Sequence, residues 1–194
     1  MESVIPLAFT ASWASGINPY LLVFLAGLLG RFTGAEVPPG FERMDVLVIF
    51  GVLVVIDAIA DKVMLVDSAW DVVNTAIRPI AGAVVAVLIV TPDVDLPTAE
   101  VAAAGGTVAL ITHLAKATTR LAVNTSPEPA SNVVVSVAED VAVCGVVLVA
   151  VVNPWVAAAI ALVLLTVAVV VAIIVARAAR RGIRRVRQWG VAES

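Results

Sequence analysis

Carboxylates and cations crowd two stretches of a chain that is otherwise strongly apolar. The first runs from Asp57 and Asp61 through Asp67, Asp71, Asn74 and Thr75 to Arg78 and Pro79. The second places His113, Lys116, Arg120 and Asn124 three or four residues apart, and the adjacent acids Glu139 and Asp140 follow. Such spacings put side chains on one helical face, so each stretch presents a polar ridge. Acids gathered in an apolar setting can hold a proton near neutral pH and exchange it for a cation, which is ion-coupling chemistry. Arg78, Lys116 and Arg120 can neutralise those acids, or hold an anionic group such as a phosphate or a carboxylate. His113, the sole histidine, suits either a proton relay or a hydrogen-bonded place in the core.

The elements that position these ridges belong in a membrane. The 194 residues are 61% hydrophobic and only 14% charged, with a mean hydropathy of +1.08, which excludes a soluble domain of this size. At about 20 apolar residues per crossing helix, the length allows roughly five to seven spans and no separate catalytic domain. A charge at the bilayer centre costs about 2.5–3.5 kcal/mol on insertion scales, so Asp57, Asp61, Glu139 and Asp140 should face one another, a base or water. Cys144 is the only cysteine, which excludes an intramolecular disulfide and a thiolate metal cluster. Walker, nucleophile-elbow, HExxH and dinucleotide motifs are absent, so neither an enzyme nor a bound cofactor is expected, and hard oxygen-ligated cations stay open. The amino end has no basic n-region, and no signal peptide is expected.

The fold class expected is an all-α integral membrane protein of six transmembrane helices, with broken first and fourth spans. Pro19 lacks an amide hydrogen and restricts Asn18, which breaks the first span. The second covers 46–60. The third starts near Ala69, capped by Ser68 and kinked at Pro79. The fourth, 98–123, is interrupted at Gly105 and Gly106; the fifth and sixth cover 133–152 and 154–176. Ile5-Pro6, Gly16 and Arg31 align with Leu96-Pro97, Gly106 and Arg120, so residues 1–95 and 96–176 read as two three-helix repeats. An odd number of spans per repeat makes them inverted, as in many secondary transporters.

Residues 177–194 form a basic tail with arginines at 177, 180, 181, 184, 185 and 187. Arginines beside a span mark the cytoplasmic side, which puts both termini there and the acid-only loop 91–97 outside. The tail can also touch anionic lipid. Without it, residues 1–176 carry six bases against fourteen acids.

Several ordered motifs sharpen this picture: Ser15-Gly-Ile-Asn-Pro19-Tyr20, Ala60-Asp61-Lys62, Val66-Asp67-Ser68-Ala69-Trp70-Asp71, Ile77-Arg78-Pro79, His113-Leu-Ala-Lys116, Arg120, Asn124-Thr-Ser126-Pro127-Glu128-Pro129, and Ser131-Asn132 with Glu139-Asp140. Together they resemble the bacterial membrane-protein family known as domain of unknown function 4126, from about Ala14 to beyond Asp140. The resemblance implies a bacterial inner-membrane protein and carries no activity with it. One departure is Asp57, where that pattern leads us to expect a glutamate.

The leading expectation is an ion- or proton-coupled secondary transporter or permease with an acid-lined site at the repeat interface. Asp57, Asp61, Asp71, Glu139 and Asp140 would carry ions or protons, and Arg78, His113, Lys116, Arg120 and Asn124 complete the polar walls. Asn18, Pro19, Pro79, Gly105 and Gly106 would supply helix breaks. Two alternatives stand beside it: a lipid-head-group translocator using the basic ridge, and a structural partner of a membrane complex. The expected partners are the bilayer and a small ion or solute, not nucleic acid; the small size leaves a homo-oligomer open.

Overall fold

Pro19 turns the chain sharply, because it offers no amide hydrogen and pushes the residue before it out of the helical region. In the computed structural model, which describes residues 3–62, 64–124 and 129–192, helix α1 (Val4–Ile17) ends at Asn18 and helix α2 (Pro19–Thr33) begins directly after it. Asn18 is extended (φ −153°, ψ 90°), and its Oδ1 accepts the amide of Leu21 at 2.9 Å, an N-cap that fixes the start of α2. With 14 and 15 residues, α1 and α2 are about 21 and 22 Å long, each shorter than a hydrocarbon layer of roughly 30 Å.

A 3₁₀ turn (Pro39–Glu42) leads into α3 (Met44–Ala60), and α4 (Met64–Val90), α5 (Thr98–Asn124), α6 (Pro129–Val152) and α7 (Pro154–Ala192) follow. No strand occurs among the described residues. Four stretches are long and apolar enough to cross a membrane: Val66–Val90, Thr98–Val123, Ser131–Val152 and Pro154–Arg181. Branched aliphatic side chains cover the outward faces, among them Val48, Val52 and Ile59 on α3 and Val163, Val167 and Ile174 on α7. Apolar surface this continuous belongs against lipid tails. The chain is a multi-pass membrane protein.

From Asn18 the two short helices diverge as a fork. The first arm runs beside α5 in the same direction: Val4 and Ala8 pack with Val101, Ser12 lies against Gly105, and Gly16 against Ala109 and Thr112. The second arm runs back along α3, with Phe24 against Gly51 and Gly27 against Leu47. Both far ends therefore lie at one end of the bundle. There Ser3, Glu36, Pro38, Asp93 and Pro154 surround a cavity of about 730 Å³, which reaches between the arms to Thr10 and Leu22.

This arrangement corrects several expectations. The α1–α2 pair starts and finishes at the cavity end, and four stretches among the described residues reach spanning length and hydropathy where six spans were expected. Inverted repeats would need α1 and α5 to run in opposite directions, and they run together; prolines suit the start of any helix, which accounts for the match of Pro6 with Pro97. Gly105 and Gly106 do not break α5, which is continuous through them. Their missing side chains serve close packing instead: a Cβ on Gly105 would lie 2.5 Å from the Ala86 Cβ and 2.7 Å from the Gly82 carbonyl oxygen. Helix α4 likewise continues through Pro79 and starts at Met64, which leaves Ser68 inside the helix and not at its cap. Packing along α5 holds α4 together although Pro79 forfeits one intrahelical hydrogen bond. The basic segment is no separate element, since α7 continues to Ala192; Arg177, Arg180 and Arg181 on it are exposed.

Candidate functional site

The tip of the fork meets the polar parts of α3, α4, α5 and α6. Asp57, Asp61, Asp67, Asp71, Arg78, Lys116 and Arg120 gather there, none more than 9% exposed, with Glu139 and Asp140 half-buried beside them. Six carboxylates thus face three permanent cations. The cluster divides into two parts with different bonding.

One part is densely paired. Arg120 donates from Nη2 to Asp61 Oδ2 at 2.9 Å and to Glu139 Oε2 at 2.8 Å, and from Nε to the same glutamate oxygen at 3.2 Å. Its Nη1 reaches the Asp61 carbonyl at 2.9 Å, Asn132 Oδ1 at 2.9 Å and Asp67 Oδ1 at 3.3 Å. Lys116 Nζ lies 2.9 Å from Asp61 Oδ2, 3.4 Å from Glu139 Oε2 and 3.1 Å from the Ile17 carbonyl. That carbonyl belongs to the C-terminal end of α1, where unsatisfied backbone oxygens and the helix dipole favour a cation. Asn132 Nδ2 returns a hydrogen bond to the Asp61 carbonyl at 2.9 Å. Arg120 and Lys116 thereby tie α1, α3, α4, α5 and α6 together.

The other part is under-bonded. Arg78 is fully buried; its Nη1 lies 3.0 Å from His113 Nδ1 and 3.5 Å from Asp71 Oδ1, and its Nη2 lies 3.7 Å from Asp57 Oδ1. Neither Nε nor Nη2 of Arg78 makes a hydrogen bond. Asp57 Oδ1 accepts Trp70 Nε1 at 2.6 Å, while its Oδ2 has no partner. The Ser15 hydroxyl and Asn74 Nδ2 are also buried and unbonded. Tyr20, in the first turn of α2, donates to Asn74 Oδ1 at 3.2 Å and sets its ring 6.5 Å from that of Trp70. Asn18 Nδ2 donates to Asp140 Oδ1 at 3.1 Å, which fixes the tip. Buried polar atoms are nearly always bonded, so this concentration of open donors and acceptors around Arg78 is unusual; Asp61 Oδ1 and the Ser136 hydroxyl are the other buried side-chain atoms without a partner among the described residues.

Of the residues singled out in the sequence, Asn18, Asp57, Asp61, Asp71, Arg78, His113, Lys116, Arg120, Glu139 and Asp140 come together, with Pro19 at the tip. Gly105 and Gly106 lie about two turns away along α5 and serve the contact with α4. The side chain of Asn124 lies outside the described residues. Asp67, Asn132, Tyr20 and Trp70 join the site without having been singled out as site residues. Asn132 was readable from its helical spacing to Ser136 and Glu139; the two aromatics look like any core or interfacial ring. Among the described residues no group of three or more His, Cys, Asp and Glu side chains could hold a metal ion; bases separate the acids.

Comparison with known proteins adds one fact. The family described as domain of unknown function (DUF4126) matches residues 5–173. The chain belongs to that family. Neither curated proteins nor solved structures give a match. Membership in the DUF4126 family thus covers the fork, the cluster and the apolar part of α7, and the chemistry has to be argued from the cluster itself.

Proposed function

We propose that this protein is an ion- or proton-coupled secondary transporter of the bacterial cytoplasmic membrane, with its site in the under-bonded part of the cluster. The observation that carries this reading is a helix break delivered to a buried set of carboxylates that outnumber their cations. Broken helices whose ends face ionisable groups within the membrane are a recurrent way to bind and release small ions. Asp57 and Asp71 would hold the cation or proton, Arg78 would offset their charge, and the fork cavity would be the approach from the opposite face. The densely paired part, around Asp61, Lys116 and Arg120, would hold the helices in register. That pairing also weakens a lipid-head-group role, because Lys116 and Arg120 already spend their donors on carboxylates.

The arginines of α7 support a cytoplasmic C-terminal end. With α1–α2 as a fork, the cavity end, including the start of α1 and the loop 91–97, then faces outward. This replaces the placement of both termini in the cytoplasm that six spans would require. No catalytic role is proposed for any residue.

Thermal unfolding of the purified protein across monovalent and divalent cations, small anions and phospholipid head groups tests the site. A ligand that binds only the folded state at about 100 times its Kd stabilises it by roughly 2.7 kcal/mol. A cation-specific rise in melting point, lost in Asp57→Asn, is the expected result. No shift with any cation in a well-folded sample would favour a structural role for the whole cluster.

A further inference from the structure

Arginine can only donate hydrogen bonds. Since Arg78 Nη1 lies 3.0 Å from His113 Nδ1, that ring nitrogen presents a lone pair. The imidazole hydrogen is then on Nε2, 2.9 Å from Thr75 Oγ1. The Thr75 hydroxyl hydrogen goes to the Asp71 carbonyl at 2.8 Å, which leaves its oxygen free to accept from the ring. All three contacts are satisfied by one assignment: a neutral His113 with its hydrogen on Nε2.

The same guanidinium has a second, unused edge. Its Nε and Nη2 make no hydrogen bond, Nη2 lies 3.7 Å from Asp57 Oδ1, and Asp57 Oδ2 has no partner. Arg78 therefore stands between two positions, one taken on His113 and Asp71 and one open on Asp57. The remaining charged neighbours are spoken for: Lys116, one turn along α5, is engaged by Asp61 and Glu139, and on α6 Asp140 is held by Asn18. Helix α1 and the 154–176 part of α7 carry no ionisable side chain.

We propose that His113 Nδ1 is the proton-binding atom of the transport cycle, and that a proton there drives Arg78 onto Asp57, expelling the cation that Asp57 holds. This deepens the transport reading above and rests on it. The step forms one N–H bond from the Nδ1 lone pair and an incoming proton, and breaks the two hydrogen bonds that Arg78 Nη1 donates, to His113 and to Asp71. Two N–H groups and two positive charges cannot share a 3.0 Å contact, so the guanidinium must leave; Asp71, which shared it, compensates the new imidazolium. Arg78 and a cation then compete for Asp57, which makes the process an exchange of one for the other. The Asp57–Trp70–Tyr20 contacts carry the change to the first turn of α2.

Two measurements test this. Because His113 is the only histidine, ¹⁵N-histidine NMR of the full protein in nanodiscs reads its tautomer directly. A hydrogen on Nε2 at high pH is expected, and a hydrogen on Nδ1 would overturn the proposal. In liposomes containing a pH dye, sodium, potassium and magnesium gradients are applied in turn to the wild type and His113→Asn, whose Oδ1 still accepts from Arg78 but takes no proton. At least a tenfold loss of cation-driven proton movement, with cation-dependent thermal stabilisation retained, is expected. Wild-type proton movement in His113→Asn would overturn the assignment to His113 alone, whereas no movement in the wild type under any gradient would count against the transport reading itself.

Discussion

At the residue scale, two aspartates four positions apart have opposite roles. Each leaves one carboxylate oxygen without a partner, but Asp61 Oδ2 faces both Lys116 and Arg120 at 2.9 Å, whereas the cation nearest to Asp57 is 3.7 Å away. Removing one member of a buried ion pair leaves an uncompensated charge and costs about 3–5 kcal/mol. Asp61→Asn should therefore lower unfolding stability in detergent by that amount. Asp57→Asn removes a longer, 3.7 Å pair, keeps an oxygen for Trp70 Nε1 and leaves Arg78 with Asp71 at 3.5 Å, so it should cost less than Asp61→Asn; equal losses in the two variants would contradict the division of the cluster. Membership of the cluster was legible from helical spacing and the expense of charge in lipid, but its division was not. Which carboxylate meets which cation depends on where long side chains end, and on the Ile17 carbonyl, which no spacing rule brings to Lys116.

At the element scale, the break at Asn18-Pro19 was legible because it is local: a residue without an amide hydrogen follows one able to cap the next helix. The direction of the second arm was not, since it is set by packing of α2 along α3. The glycines show the same limit. A Gly-Gly pair inside an apolar run suits a break or a close helix contact equally well, and only the partner helix decides. Here a Cβ on Gly105 would meet Ala86, the Gly82 backbone and Ser12 Oγ, the last at 3.0 Å. Overpacking of this kind costs about 1–3 kcal/mol, so Gly105→Val should destabilise the α4–α5 contact by that much in a denaturant titration. An unchanged midpoint would mean the two helices are not in tight contact.

At the scale of the whole molecule, membrane residence was readable from composition, while the count of crossings depended on whether the first broken segment passes through or turns back. That choice fixes the orientation of the rest. In a Cys144→Ser background, Ser3→Cys and Asp93→Cys should react with an impermeant thiol reagent from one face of the membrane, and Lys62→Cys from the other. Reaction of Ser3→Cys and Lys62→Cys from the same face would restore a six-span topology. The fork brings a helix break to buried carboxylates in excess of their cations, the place proposed to move ions. The most direct measurement is dye-reported proton movement in liposomes under imposed sodium, potassium and magnesium gradients, comparing the wild type with Asp57→Asn. Movement driven by at least one cation, and reduced to the protein-free level by the substitution, is expected. Movement unchanged in Asp57→Asn, or none with a folded wild type under any gradient, would contradict it.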